Sequence, residues 1–250
     1  MELVNYFLFT NYIIFISSYS IISFICYLFD TSYILKNIVN KKYNLPLKKI
    51  NSEDIFFIES LYIKYLARVV FNVFILSYIC GIINSFFIQN FNPILLKNNS
   101  INSFRPLRAI IEYIICLVLT DFTFYTCHRT SHHPYLYKYI HKKHHEVKNC
   151  IGMAGVYTDS IDFFFGNYLP VNFHTSLIMS HQFTFYFWIL KTTYGVIINS
   201  HSGYQNLSEY HDLHHTHFKY NFGIAGGYMD KIMGTNYKKK FENIKKIKKK

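Results

Sequence analysis

The sequence predicts an all-α membrane protein of about four to five transmembrane helices with a cytosolic, histidine-rich helical cap. Three observations predict it. Long apolar runs recur along the chain, with a hydrophobic fraction of 51% and an aromatic fraction of 20%, while charged residues make up only 16%. That charged share is well below the soluble average. Lysine and arginine gather between the apolar runs rather than within them. Thirteen histidines are present, and most sit in three clusters just outside the runs.

The spans follow in order. A spanning helix needs about 20 mostly apolar residues. Residues 6–29 qualify, although Ser17, Ser18, Ser20 and Ser23 dilute them. A cleaved signal peptide fits this run less well, because it is too long and lacks a preceding basic region. Residues 69–91 make a second span and 107–127 a third. Residues 161–200 are apolar and aromatic, with breaks near Pro170 and near Ser180-His181. Forty residues of this kind suit an out-and-back hairpin of two helices. Segment 54–68 mixes apolar and charged residues and is read as lying along the membrane surface before the second span.

Charge gives the sidedness. Segment 30–68 carries seven Lys and Arg, 128–160 five and 201–250 ten, whereas 92–106 carries only Lys97 and Arg105. Basic loops stay in the cytosol. The hairpin at 161–200 must then return to the side it left, which brings all three histidine clusters to one cytosolic face. The net charge of +12 is explained by these flanks and by the lysine-rich end, Lys238 to Lys250, so no nucleic-acid partner is expected. Five cysteines lie mostly in apolar runs and form no C-x-x-C pair, so neither a disulfide framework nor a thiolate zinc site is expected. The chain ends Lys246-Ile-Lys248-Lys249-Lys250, a pattern similar to a dilysine retrieval signal of the endoplasmic reticulum.

The clusters are His128-x-x-x-His132, His141-x-x-His144-His145 and His211-x-x-His214-His215. Imidazole is a nitrogen ligand suited to iron, zinc, copper or nickel. Residues three or four apart share one helical face, so each cluster can present its imidazoles together. Two copies of His-x-x-His-His and one His-x-x-x-His on one side of a membrane point to a polynuclear metal site and to oxygen chemistry on a lipid. His201 lies where the hairpin re-emerges and is read as a further ligand. His174 and His181, inside the hairpin, are read as structural. Asp121 lies inside the third span, about two turns before His128, where a carboxylate is costly and needs a reason. It is read as accepting the free N–H of a ligand imidazole, and Glu146 and Asp212 as doing the same. No side chain outside the metal centre is expected to act as a catalytic group. The zinc protease pattern fails, because Asn149 stands where its second His must be. No P-loop, G-x-S-x-G or G-x-G-x-x-G occurs.

These residues resemble a known family. Asp121-Phe-Thr-Phe-Tyr-Thr-Cys-His-Arg-Thr-Ser-His-His133 is similar to the first histidine box of the fatty acid hydroxylase/sterol desaturase superfamily. Leu136-Tyr-Lys-Tyr-Ile-His-Lys-Lys-His-His-Glu146 is similar to its second. Tyr210-His-Asp-Leu-His-His-Thr-His-Phe-Lys-Tyr-Asn-Phe222, followed by Asp230-Lys-Ile-Met-Gly-Thr235, is similar to its third box and closing motif. The resemblance divides the chain into spans and a loop over 1–106, a di-iron domain over 107–237 and a basic tail over 238–250. It implies a multi-pass protein of the endoplasmic reticulum with two iron ions, and O2 as co-substrate. The implied ligands are His128, His132, His141, His144, His145, His201, His211, His214 and His215. It implies a membrane lipid substrate and electrons from cytochrome b5 or an NAD(P)H-dependent reductase. Features of sterol 4-methyl oxidases, sterol 25-hydroxylases and sphingoid-base 4-hydroxylases are mixed, so a sterol or a sphingolipid is implied.

The chain also departs from the pattern. Relatives carry Tyr-x-His-Pro-x-Glu where this chain has Tyr157-Thr-Asp-Ser-Ile-Asp162, and sterol oxidases carry His where Tyr210 stands. The first change admits a catalytically inactive, lipid-binding family member as an alternative. A metal transporter or sensor is a second alternative, disfavoured by the few polar groups within the spans.

Overall fold

A computed structural model describes residues 2–32, 52–148, 150–204, 206–224 and 227–237. Its elements are helical, as the sequence predicts. The lysine-rich end, with its dilysine pattern, lies outside the described residues.

Helix α1 spans Glu2–Thr31. Helix α2, Ser52–Val70, runs through a wide π turn, Phe71–Leu76, into α3, Ser77–Phe91. Among the described residues, two stretches are long and apolar enough to cross a membrane, Glu2–Thr31 and Phe56–Phe91. Both leave large apolar side chains outside, such as Phe9, Phe24, Phe74 and Phe86. The expected surface segment at 54–68 is corrected: it is the first part of this second long helix. Ile58, Leu61, Tyr65 and Val69 give it a buried stripe in the cluster that also holds Val147 and Ile151.

After α4, Pro93–Lys97, helix α5 runs from Pro106 to Ser131. It covers the third expected span and continues one turn beyond it, carrying His128. Helix α6, Pro134–Ile140, and a 3-10 turn, His144–Glu146, hold the second cluster.

Residues 160–200 form the expected hairpin. Its outward leg is α7, Ser160–Asp162, a π turn over Phe163–Tyr168, and α8, Leu169–Ile178. Its return leg is α9, Gln182–Tyr194, and a π turn over Gly195–Ser200. The break at Ser180-His181 is present. The break expected at Pro170 is not, because the wide turn just before it lets the helix pass a residue that has no N–H to donate. Helix α10, Glu209–His217, and α11, Met229–Ile232, complete the chain.

The two ends of this bundle differ in chemistry. At one end, Phe7, Ile88, Leu95, Cys116, Met179 and Trp188 form an apolar cluster. Side-chain amides seal the hairpin turn there. Asn92 Nδ2 donates to the Ser176 and Met179 carbonyls at 3.0 and 2.8 Å. Asn98 Nδ2 donates to the Ser180 carbonyl at 2.9 Å. Glu112 accepts from the Ser180 N–H and hydroxyl. At the other end, α1 and the α2–α3 helix grip the loop after the second cluster. Tyr19 donates to the Met153 carbonyl at 2.8 Å, and Asn72 to the Val156 and Thr158 carbonyls at 2.7 and 3.0 Å. All nine candidate ligands lie at this second end. Cys26, Cys80, Cys116 and Cys150 are buried, and Cys127 is partly so.

Candidate metal centre

The nine histidines converge from five places in the chain. His128 is on the last turn of α5 and His132 caps it; His141 caps α6; His144 and His145 are on the 3-10 turn. His201 follows the hairpin, and α10 carries His211, His214 and His215. They sort into two groups. His128, His132, His141, His145 and His214 form one, and His144, His201, His211 and His215 the other, with ligand atoms within 4.8 Å of one another in each. Neighbours in sequence therefore serve different groups. On a helical turn, adjacent side chains diverge, so His144 parts from His145 and His214 from His215.

The nitrogens that face each other are the Nε2 atoms. His128 and His141 approach to 3.1 Å, His132 and His145 to 3.1 Å, and His145 and His214 to 3.2 Å. In the second group, His144 and His201 approach to 3.3 Å and His211 and His215 to 3.1 Å. Nitrogens at that spacing lie close enough that a pair could hold one metal ion together.

The far nitrogens fix the tautomers. Nδ1 of His128 donates to the Phe222 carbonyl at 2.7 Å, that of His201 to the Val196 carbonyl at 2.9 Å and that of His214 to the Tyr220 carbonyl at 2.7 Å. Nδ1 of His141 meets Asp162 Oδ2 at 2.8 Å. With Nδ1–H committed, Nε2 carries a lone pair. His128 and His141 thus aim two lone pairs at one point, an arrangement that a cation between them relieves. Protonation does not relieve it. Burial pushes His128 and His201 down to about 4, and burial with the neighbouring His128 pushes His132 down to about 3. Burial and neighbouring imidazoles hold His141, His144, His211, His214 and His215 well below the usual range. Neutral imidazoles with converging lone pairs fit two metal ions.

Residues 113–235 match the fatty acid hydroxylase family. This stretch, just under half of the chain, is assigned to the fatty acid hydroxylase/sterol desaturase superfamily. It is 35% identical to Fatty acid hydroxylase ahd1 of Mycosarcoma maydis over 136 residues, 52% of this chain and 34% of that protein. It is 35% identical to Fatty acid hydroxylase domain-containing protein 2 of Homo sapiens over 131 residues, 51% of this chain and 39% of that protein. It is 29% identical to Methylsterol monooxygenase 1 of Rattus norvegicus over 151 residues, 54% of this chain and 50% of that protein. The chain thus spans between about a third and a half of the length of these relatives. No solved structure matches it.

The carboxylates of this hydroxylase domain are distributed otherwise than the sequence predicts. Asp121 accepts the backbone N–H groups of Tyr228 and Met229 at 2.7 and 2.8 Å, so it caps α11 instead of orienting an imidazole. Glu146 is exposed and accepts from Tyr157 at 3.3 Å. Asp212 accepts from the Ser208 hydroxyl at 2.9 Å at the start of α10. The carboxylate that meets a candidate ligand is Asp162, fully buried, the shortened acid of the departing segment. Gly166 makes room for it, since a Cβ at that position would collide with Asp162 Oδ1. The signal in the sequence was its place at the end of Tyr157–Asp162, where relatives carry Glu.

Asp230 is the other residue that sequence reasoning did not single out. It accepts from the Phe222 and Gly223 N–H groups, from Tyr210 at 2.7 Å and from Thr235 at 2.6 Å. It thereby holds the loop whose Phe222 carbonyl orients His128. Tyr210, at the position where sterol oxidases carry His, is Asp230's hydroxyl donor. His133 and His217 lie outside both groups. His174 bonds to Thr120 at 2.7 Å and His181 caps α9, so both are structural, as read.

Proposed function

We propose that the chain is a membrane-bound, non-haem di-iron monooxygenase that hydroxylates a sterol or a sphingolipid. The observation that carries it is the convergence of nine neutral imidazoles into one group of five and one of four at the foot of a hairpin. Family membership supports oxidation of a lipid, and the names of the relatives include a hydroxylase and a methylsterol monooxygenase. Two irons bound there would supply O2 activation. The histidines of both groups would hold them, with four or five imidazoles each leaving room for O2. Phe222, Tyr220 and Val196 carbonyls and Asp162 keep the imidazoles aimed. Phe124 and Val196, beside the histidines, would limit water at the reacting carbon. Electrons would come from a partner such as cytochrome b5 or an NAD(P)H-dependent reductase. The basic flanks support a cytosolic cap on the endoplasmic reticulum, with α5 and the hairpin completing four to five spans.

The experiment is metal analysis with an O2-consumption assay on the purified full chain. We expect close to two irons per chain. His144→Ala and His214→Ala, one from each group, should each lose bound iron and abolish turnover while the protein still inserts. Full activity in either variant would overturn the di-iron reading. Lipid profiling after depletion should show either accumulating 4-methyl sterols or loss of 4-hydroxylated sphingoid bases.

A further inference from the structure

A small cavity adjoins the histidine groups and is lined by His128, His141, His144, His201 and His211 together with Phe124, Asn167 and Val196. The last three also line a second, larger chamber. They form a throat between the two. The chamber is partly open, has a cavity volume of about 120 Å³ and lies between α1, α3, α5 and the two legs of the hairpin. Along α1 it extends from Tyr19 to Leu8, and along the return leg from Val196 to Phe185. Eleven residues of helix make it about 16 Å deep.

Its lining has an unusual balance. No Asp, Glu, Lys, Arg or His faces it among the described residues, yet Asn11, Asn84, Asn172, Ser85, Thr192 and Thr193 do. Some of these polar groups are satisfied within the protein. Ser176 donates to Asn84, and Thr192 donates to the Trp188 carbonyl at 2.8 Å. Two others are not. Asn11 Oδ1 and Thr193 Oγ1 are buried and have no hydrogen-bond partner, and Thr193 is only 3% exposed. A buried polar atom without a partner costs about 1–3 kcal/mol. Thr193 lies one turn, about 5 Å, below Val196 along the helix. The Phe7 ring of α1 lies 5.4 Å from that of Phe185 on α9, and both helices rise toward the throat from there, so Asn11 lies about one turn deeper than Thr193.

We propose that this chamber binds an uncharged lipid with a hydroxyl or amide group, and that Asn11 and Thr193 select it by hydrogen-bonding that group inside the chamber. Asn11 Oδ1 can only accept, so the lipid must donate. The absence of a facing charge leaves a free fatty acid or a phospholipid headgroup without a counter-ion, and desolvating such a charge is costly. The remainder of the lipid fills the apolar wall, and the carbon presented at Phe124, Asn167 and Val196 faces the metal centre. The inference rests on the hydroxylase reading for that last step alone; the binding selectivity does not depend on it.

Binding is therefore measured apart from turnover, on the full chain in nanodiscs carrying His144→Ala. The probes are cholesterol, cholesterol 3-O-methyl ether, a ceramide and palmitate. We expect cholesterol or the ceramide to bind at least about ten-fold more tightly than palmitate, and cholesterol about ten-fold more tightly than its ether. Asn11→Leu and Thr193→Val should each weaken binding of the hydroxylated lipid by about ten-fold and leave the ether unchanged. Thr193→Ser, which keeps the hydroxyl, should restore affinity. Palmitate binding as tightly as both neutral lipids would overturn the proposal. Unchanged selectivity in both variants would overturn it equally. Full turnover in the His144→Ala protein with this selectivity intact would instead count against the di-iron reading.

Discussion

What each imidazole can do is decided at its far nitrogen. His141 is the ligand candidate whose Nδ1 meets a carboxylate rather than a carbonyl, through Asp162 at 2.8 Å. A carboxylate partner raises ligand basicity and locks the ring, and losing one typically lowers metal affinity or activity about 10–100-fold. Asp162→Asn should therefore lose iron at chelator concentrations that the parent withstands, with a fall in turnover of that order; equal iron retention would deny Asp162 this role. The neutral state of the site sets its pH response. His128, His132 and His201 are pushed down to about 4, 3 and 4 by burial, against a usual value of about 6.5. The unfolded chain then binds more protons than the folded one below that value. The stability from these groups is complete above about pH 6.5 and is lost as pH falls toward 4. Metal-free protein should show a melting temperature that declines through that window, and a flat profile would contradict buried neutral imidazoles. The nine imidazoles were legible in the sequence because their spacing is local. Asp162 and Asp230 were not, because their partners lie 21 residues away at His141 and on a loop whose register only folding sets.

Between residue and fold, the elements that matter are the irregular ones. Apolar runs announce the helices, and the hairpin follows from their length and from the break at Ser180-His181. The spacing of three and four in the second cluster suggests one helical stack, but a 3-10 turn at His144–Glu146 distributes those imidazoles over both groups. Such a turn has no periodic signature over three residues. The loop Gly152–Val156 packs against the π turn Gly195–Ser200, which delivers His201. The contact is tight at Gly155, where a Cβ would stand 2.6 Å from Val196 Cγ1, 3.0 Å from the Val196 carbonyl oxygen and 3.1 Å from His201 Nδ1. That carbonyl is the acceptor that orients His201. Gly155→Ala must push the π turn away and cost about 1–3 kcal/mol, as overpacking does. We expect a lower melting temperature and loss of iron chiefly from the group of four, read as a fall toward one iron per chain. A variant of unchanged iron content and stability would show that the loop yields without moving His201.

At the scale of the whole molecule, length and charge agree on where the site stands. Helix α1 has 30 residues and the Phe56–Phe91 helix 36, so they run about 45 and 54 Å. A hydrocarbon core is about 30 Å thick, so both helices project well beyond it on at least one side. Tyr19, Arg68 and Asn72 of these helices hold the loop after the second cluster. The opposite end, with Asn92 and Asn98 closing the hairpin turn, carries few basic residues. Basic segments retained in the cytosol would then place the histidine cap there and the 92–105 connection across the membrane. Single cysteines report this directly. Lys138 is exposed on the cap and Ile101 is 72% exposed in the connection. An impermeant maleimide applied to sealed microsomes should label Lys138→Cys from outside, over the background of the native thiols. Ile101→Cys should label only after the membrane is opened. Labelling of both positions in sealed vesicles would place the two ends on one side and overturn the proposed sidedness.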